Sequence, residues 1–253
     1  MASRVIAHPM ARGLFFHFQP PLLFSLLSKP FLPALTETKT WIKTGVMGDP
    51  TFDTYYASNV QFSANTSAQQ ITMQAAGAAL LDRIGPAVLI AHSQGGLMPW
   101  LIADVRPSLV KSIVALEPTG PPFKDVLFTT ATRKFGLTDI PVAYDPPVGD
   151  PSVDLKTTEI GVSTAARSSC LLQADPVRRL VNLLGIPVLL VTAEASFHAV
   201  YDFCTVDYLK QAGVSVEHLR LEEVGIHGNG HLSFMEMNNL EIAETIEKWI
   251  RGH

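Results

Sequence analysis

Charged residues and cysteines are both scarce in this sequence, and each shortage excludes a class of protein. Charged residues make up 17% of the chain and hydrophobic residues 47%, whereas soluble domains average about 25% charged residues. General intrinsic disorder is therefore excluded. The only cysteines are Cys170 and Cys204, which excludes a disulfide-dense scaffold and a cysteine-rich zinc site. The sequence leaves open whether these two cysteines form one disulfide bond.

Long uninterrupted apolar runs and an excess of basic residues are also missing. No run reaches the roughly 18 apolar residues of a membrane-spanning helix, so a stable span is not expected. The formal net charge is -4 and no phosphate-binding surface is indicated, so we expect no nucleic-acid partner. A length of 253 residues fits one large α/β domain, or at most two small ones.

The first 36 residues contain no acidic side chain. They include five prolines and three basic residues, and the apolar stretch 13–27 is interrupted between positions 17 and 21. This is a poor match to the continuous apolar region of a signal peptide. We interpret residues 1–40 as an atypical N-terminal arm and residues 41–253 as the main domain. The location stays unknown: a cytoplasmic location is slightly favoured over secretion or an organelle.

From residue 68 onward, buried apolar runs alternate with amphipathic segments. Strands are predicted over 87–91, 110–116, 187–192 and 214–221. Helices are predicted over 68–84, 94–105, 199–212 and 238–251. This alternation predicts the α/β class, with a mostly parallel sheet covered by helices on both faces.

The regular pattern ends between Pro118 and Gly185, where prolines and glycines are frequent. So long an irregular stretch is rare inside a compact domain unless it is a lid or a binding loop. We therefore expect residues 118–185 to form an inserted cap. The alternative is a run of short helices with no gating role.

The sharpest local signal is a serine in the string Ala91-His92-Ser93-Gln94-Gly95-Gly96, between a predicted strand and a predicted helix. A serine on such a turn is typical of a nucleophile elbow. The turn requires small residues two positions before and two after Ser93, and Ala91 and Gly95 meet this requirement. Because the helix N-terminus directs N–H groups at the reaction centre, the backbone N–H of Gln94 is the predicted oxyanion donor. The alternative is a serine that only caps the helix.

A nucleophilic serine needs a base, and the glycine-rich stretch 225–234 offers two histidines. We favour His231 as the base because it lies next to the final helix. His227 is kept as an orienting, substrate-side or turn histidine, and His92 as a secondary candidate beside the nucleophile. The other histidines, including His198 at the start of a predicted helix, are interpreted as structural.

Two glutamates, Glu117 and Glu194, each end a predicted buried strand. Both positions lie at the carboxyl edge of the sheet, where ligands bind in open α/β folds. A charge at the end of an apolar strand is costly unless it is paired, so each glutamate is expected to have a role. The chain order Ser, Glu, His fits a hydrolase triad with either acid, and the residues alone do not rank the two.

Three longer strings resemble the bacterial esterase 713-type branch of the α/β-hydrolase-fold esterases. They are Ala-Leu-Glu-Pro-Thr-Gly-Pro-Pro at 115–122, Thr-Ala-Glu-Ala-Ser-Phe-His at 192–198 and Gly-Ile-His-Gly-Asn-Gly-His at 225–231. The similarity runs from about residue 41 to the C-terminus. It implies an α/β-hydrolase fold whose triad acid follows the strand directly after the elbow. The implied triad is Ser93, Glu117 and His231, and Glu194 becomes a partner of His227 or of the His231 loop.

One part of the hydrolase pattern is missing before Ser93. Hydrolases of this kind carry a His-Gly-Gly type loop that donates a second oxyanion N–H, whereas no His-Gly pair precedes Ser93 here. No convincing pair of N-terminal strands precedes it either, so residues 1–40 take the place of that block. An incomplete sheet would leave an edge open to pairing, which makes a homodimer one expectation.

The expected function is that of a serine hydrolase acting through an acyl-enzyme. The substrate class is a carboxylic ester, lactone or thioester with a small hydrophobic group. No metal or organic cofactor is expected, because the histidine and carboxylate spacings show no metal pattern. The alternatives are a catalytically impaired protein that binds a small hydrophobic ligand or a partner, and an acyltransferase or lyase that uses the same triad.

Overall fold

A computed structural model describes residues 46–60, 65–125 and 132–253, together with the backbone of residues 13–16. The predicted N-terminal arm, residues 1–40, lies outside the described residues except at those four positions. The first residues of the predicted main domain, 41–45, lie outside them as well.

The described residues form nine strands, and five of these make a central parallel sheet. The strands are β1 (Gly13–Phe16), β2 (Ala87–His92), β3 (Val110–Leu116), β4 (Tyr144–Asp145), β5 (Thr157–Ile160), β6 (Cys170–Gln173), β7 (Arg179–Leu180), β8 (Val188–Thr192) and β9 (Val216–Arg220). The sheet has the order β1-β2-β3-β8-β9, and every neighbouring pair in it is parallel. The carboxyl ends of all five strands therefore meet at one edge.

The predicted strands are confirmed, and two of the predicted helices begin later than expected. The helices are α1 (Pro50–Ala57), α2 (Thr66–Ile84), α3 (Met98–Val105), α4 (Pro151–Asp154), α5 (Asp202–Gln211) and α6 (Asn239–Gly252). The segment predicted as one helix over 94–105 starts as a 3₁₀ turn, Ser93–Leu97. Pro99 then stands in the first turn of α3, the place in a helix where a missing N–H costs least.

Helices pack on both faces of the sheet, as the sequence predicts. Leu89, Ile113 and Leu190 face a core shared with α3 and α5. Their neighbours along the strands face the opposite core, because successive strand residues point to opposite faces. Val114 and Leu189 contact Ile242 and Ile246 of α6 there. This alternation confirms the doubly covered α/β arrangement.

None of the helices in the described part of the chain has both the length and the apolar character needed to cross a membrane.

The segment predicted as a cap, residues 118–185, is neither structureless nor a run of helices. In its described residues β4 pairs with β7 and β5 with β6, both antiparallel. Buried side chains of this segment, among them Phe135, Leu137 and Tyr144, belong to the same core as Trp100 of α3. The segment is thus packed into the main domain, and its action as a cap remains a prediction.

The open question about the two cysteines has an answer in the fold. Cys170 of β6 and Cys204 of α5 form a disulfide bond across 34 positions of the chain. The bond ties the middle segment to the helix that follows β8.

Candidate active site

Ser93 stands on a sharp turn at the carboxyl end of β2. Its φ of 55° is in the left-handed region, which costs a non-glycine residue on the order of 1–3 kcal/mol. Directly behind it, a Cβ added to Gly96 would lie 2.6 Å from the Cα atom of Pro118, so a side chain there would force the backbone to shift. The elbow is also tied to this neighbouring loop, because the N–H of Thr119 donates to the carbonyl of Ser93 over 3.0 Å. Gly96, three positions after Ser93, is therefore a further small residue that the elbow requires.

The side chains of Ser93, His231 and Glu117 form a continuous hydrogen-bonded chain. His231 Nε2 lies 2.9 Å from Ser93 Oγ, and His231 Nδ1 lies 2.5 Å from Glu117 Oε2. All three residues are buried. A carboxylate accepts, so Nδ1 carries the ring proton and Nε2 is left to accept the serine hydroxyl. This is the tautomer that can remove a proton from a nucleophile.

Glu117 is held by two donors besides His231. The N–H of Ala193 donates to Oε1 over 2.8 Å, and the hydroxyl of Ser196 donates to Oε2 over 2.8 Å. Three donors on one buried carboxylate fix its orientation and compensate for its removal from water. Ser196 was not singled out in the sequence, where a serine close to a strand end carries no distinguishing signal.

Glu194 contacts His227 and Gly228, in the loop that carries His231. Its Oε2 accepts from the N–H of Gly228 over 2.9 Å and lies 3.1 Å from His227 Nδ1. The His227 side chain is 61% exposed. The structure therefore brings Glu194 to His227 and to the loop that carries His231, the two partners that the resemblance left open, and brings Glu117 to His231.

His92 and Gln94 flank the nucleophile. His92 Nε2 donates to the backbone carbonyl of His231 over 2.8 Å, and the two imidazole rings lie 4.4 Å apart. His92 thus braces the backbone of the residue that contacts Ser93. The Gln94 side chain donates to Gln69 over 3.0 Å, and the oxyanion role of its backbone N–H stays a prediction.

Two buried residues, His198 and Asp202, lie behind His231. From the sequence, His198 is interpreted as structural and Asp202 is not singled out. The ring of His198 is parallel to that of His231 at a centroid distance of 4.7 Å. Its Nδ1 lies 2.8 Å from Asp202 Oδ1. Burial lowers the pKa of His198, but the Asp202 carboxylate outweighs it, so this pKa is raised above its ordinary value. The only signal in the sequence was a His and an Asp four positions apart after a strand.

His92, Glu117 and His231 also satisfy the distance criterion for a metal site. Each offers one ligand atom, and these atoms lie within 4.8 Å of one another. Both ring nitrogens of His231 already serve Ser93 and Glu117, and His92 Nε2 is bonded to a carbonyl. These hydrogen bonds fit a proton relay better than a metal-ligand set.

A surface groove of about 590 Å³ opens beside the histidine cluster formed by His92, His198 and His231. It is lined by Pro50, Thr51, Thr54, Tyr55, Ser58, Phe234 and Met235. Phe234 connects the groove to the site, because its ring packs edge-on against His92 at 5.0 Å. Burial raises the pKa of Tyr55 to about 12, so its phenol stays protonated in neutral solution.

The chain is similar to a curated fungal protein named "Probable secreted lipase phiG", from a fungal species, strain ATCC 74256. The two are 48% identical over 230 residues, which cover 90% of this chain and 63% of that protein. The chain therefore spans less than two thirds of the length of this relative. No protein-family model matches the chain.

Solved structures of esterases resemble the chain more distantly. A novel bacterial esterase has a TM-score of 0.42 and 22% identity, covering 70% of this chain and 41% of its own. Est1E from Butyrivibrio proteoclasticus has a TM-score of 0.39 and 17% identity, covering 72% of this chain and 67% of its own. The parallel sheet, the turn at Ser93 after β2 and the chain order Ser, Glu, His are those of the α/β-hydrolase fold. By sequence, the chain is similar to a protein named as a lipase.

Proposed function

We propose that this chain is a serine hydrolase that cleaves carboxylic esters through an acyl-enzyme. The observation that carries the proposal is the buried hydrogen-bonded chain from Ser93 Oγ through His231 to Glu117, at distances of 2.9 and 2.5 Å. The left-handed φ of Ser93 and the 48% identity to a protein named as a lipase support it.

In the proposed reaction, Ser93 Oγ attacks the carbonyl carbon of the ester while its proton passes to His231 Nε2. Glu117 stabilises the imidazolium ion formed, and the N–H of Gln94 stabilises the negative oxygen. His231 then gives the proton to the leaving alcohol, which departs and leaves the acyl group on Ser93. Water, deprotonated by His231, attacks the acyl carbonyl carbon. The bond to Ser93 Oγ then breaks, His231 returns the proton to Oγ, and the acyl group leaves as a carboxylic acid.

The substrate class that fits best is a hydrophobic ester. The groove beside Phe234 presents mostly apolar surface next to the histidine cluster, and such surface gains free energy by taking up an acyl chain. The Cys170–Cys204 disulfide is typical of proteins that pass through an oxidising compartment. Secretion, as in the name of the fungal relative, is therefore part of the proposal.

The first experiment is covalent labelling of the purified protein with a fluorophosphonate probe, which reacts with activated serines. We expect one label, located on Ser93 by peptide mass analysis, and none in Ser93→Ala. With a chromogenic ester of a short acyl chain, Ser93→Ala should lose roughly 10⁴- to 10⁶-fold in turnover.

Either of two results would contradict the proposed function. One is the absence of labelling in wild-type protein whose circular dichroism shows it to be folded, which would favour a ligand-binding protein. The other is full ester turnover in Ser93→Ala.

A further inference from the structure

The ring of His231 is packed between other rings. His198 lies parallel to it, with an interplanar angle of 0° and 4.7 Å between centroids. His92 and Phe197 contact it at tilts of 38° and 43°. His231 can therefore rotate about its side-chain bonds only if these neighbours move.

Hydrogen bonds at both ring nitrogens fix the orientation of the His198 ring. Its Nδ1 lies 2.8 Å from Asp202 Oδ1, and its Nε2 lies 3.1 Å from the hydroxyl of Tyr201. Asp202 Oδ2 accepts from the hydroxyl of Thr192 over 2.8 Å. Since that donation uses the only proton of the hydroxyl, His218 Nε2, 2.9 Å from Thr192 Oγ1, must be the donor to it. Asp202 thus keeps one carboxylate oxygen for His198.

The same short segment holds the triad acid. Ser196 donates its hydroxyl proton to Glu117 and accepts from the N–H of His198 over 3.1 Å. Residues 196–202 therefore orient the Glu117 carboxylate and also place the His198 ring behind His231.

We propose that His198 and Asp202 are positioning residues, which hold the plane of the His231 ring and disfavour its protonated form. This inference rests on the proposed function, because it assigns a task within the same triad. Neither residue touches Ser93 or the reacting ester in the proposed reaction.

The electrostatic part follows from the directions of the contacts. A hydrogen bond to a ring nitrogen lies in the ring plane, so the Asp202 carboxylate lies beyond the edge of His198 while His231 lies over its face. The pKa of His198 is raised, because the pull of Asp202 exceeds the effect of burial. A protonated His198 presents its positive charge to His231 and lowers the pKa of that ring.

Other titratable groups also face these two rings. Those around His231 are Glu117, His92 and His198, and those around His198 are Asp202, Glu117, Asp125 and Tyr201. Glu117 favours the charged form of both rings and is unchanged in the experiment, so a change in behaviour reports on the His198–Asp202 pair.

The test measures the rate of fluorophosphonate labelling as a function of pH, which needs no knowledge of the natural substrate. In Asp202→Asn the amide still fills the same space, but the negative charge that favours the protonated form of His198 is lost. We expect the acid limb of the labelling profile, where the rate falls as His231 becomes protonated, to move up by about one pH unit. Labelling well below the limb is then about tenfold slower, and labelling above it changes less.

A matched control is Asp104→Asn. Asp104 is half-buried at the end of α3, where it accepts from the N–H of Ala143 and from Asn182 over 3.0 and 3.1 Å. It loses the same charge from a less buried position than Asp202 and does not contact His92, His198 or His231. We expect its acid limb to coincide with that of the wild type.

Two further variants separate position from charge. His198→Phe keeps a flat ring against His231 but carries no charge, so its acid limb should shift as in Asp202→Asn. His198→Ala leaves the ring of His231 unsupported, and its labelling should fall about 10- to 100-fold at every pH.

A measurement on the wild type completes the test where a variant does not fold. Titration of the histidine rings by NMR should show His198 losing its proton at a higher pH than His231. The inference is overturned if His231 titrates above His198, or if folded Asp202→Asn and His198→Phe keep the wild-type profile. Absence of any label on the wild type would instead overturn the proposed function.

Discussion

At the scale of single residues, backbone strain coincides with the proposed chemistry. The described non-glycine residues with positive φ are Ser93, Glu117 and Phe123. Two of them belong to the proposed triad and stand where the neighbouring strands β2 and β3 end. Each costs on the order of 1–3 kcal/mol, which the packing and hydrogen bonds around it must offset. Strain of this kind aims the hydroxyl and the carboxylate at one point between the strand ends.

A comparison of the two glutamates tests the identity of the triad acid. Glu117→Gln replaces the acceptor of His231 Nδ1 by an uncharged group, so the imidazolium ion loses its stabilising partner. We expect ester turnover to fall by about 10⁴-fold. Glu194→Gln removes the charge beside the exposed His227, and the loss should stay below about tenfold, because exposed pairs contribute little.

Steady-state kinetics of both variants, with the same ester and at the same pH, provide the measurement. The fraction of folded protein is checked by near-ultraviolet circular dichroism. A larger loss of kcat in Glu194→Gln than in Glu117→Gln would reverse the assignment.

The residues that sequence reasoning singled out are those whose surroundings in the chain are unusual. A serine between a buried run and a helix, glutamates that end apolar strands and two histidines in a glycine-rich loop all stand out. His198 and Asp202 do not, because their significance comes from a ring that is 33 and 29 positions away in the chain. Contacts of that kind are set by tertiary packing and leave no local pattern.

At the scale of elements, strands β2, β3, β8 and β9 could be predicted closely, whereas β1 and the starts of two helices could not. An apolar run such as Val110–Leu116 requires burial on both faces, and its observed bounds are those predicted. The periodicity of residues 94–105 and 199–212 is compatible with α and 3₁₀ turns alike. In both places a 3₁₀ turn, Ser93–Leu97 or Phe197–Val200, precedes the α-helix. Both turns carry residues of the candidate site.

The close approach of the elbow to the loop after β3 gives a prediction at this scale. In Gly96→Ala the new methyl group would meet the backbone of Pro118 at 2.6 Å, so the loop that follows Glu117 must shift. We expect the free energy of unfolding to fall by about 1–3 kcal/mol, as for other overpacked sites. Fluorophosphonate labelling should slow as well, because Glu117 moves with Pro118.

Gly185→Ala is the matched control for this change. Gly185 has open space around its Cβ position and no positive φ, so stability and labelling should stay near wild-type values. Urea denaturation compares the three proteins. An unchanged midpoint in Gly96→Ala would show that the two loops can separate without cost.

At the scale of the whole molecule, the middle segment shows where sequence reasoning reaches its limit. Its described residues include two-residue strands such as β4 and β7, which pair across more than 30 positions of the chain. Strands this short have no periodicity of their own. The Cys170–Cys204 bond is equally non-local, so two cysteines in a sequence cannot reveal it.

Removal of that disulfide should destabilise the molecule without removing the proposed nucleophile. The bond closes a loop of about 35 residues, for which the chain-entropy relation gives about 4 kcal/mol. In Cys170→Ser/Cys204→Ser we expect the free energy of unfolding in urea to fall by this amount. Ser93 should still be labelled at temperatures below the new transition.

Reduction of the wild-type protein with dithiothreitol is the companion measurement. It should lower the urea midpoint as far as the double substitution does. Equal midpoints for oxidised, reduced and substituted protein would contradict a stabilising role of the bond.

The separation of the triad along the chain has a consequence for how the protein is made. Ser93 and Glu117 leave the ribosome close together, whereas His231 follows 114 residues after Glu117. At about 5–20 residues per second, that interval lasts roughly 6 to 23 seconds. During it the growing polypeptide carries a serine and an acid without their base. Under the proposed function, the nascent chain therefore cannot cleave esters until His231 has left the ribosome and has packed against Ser93.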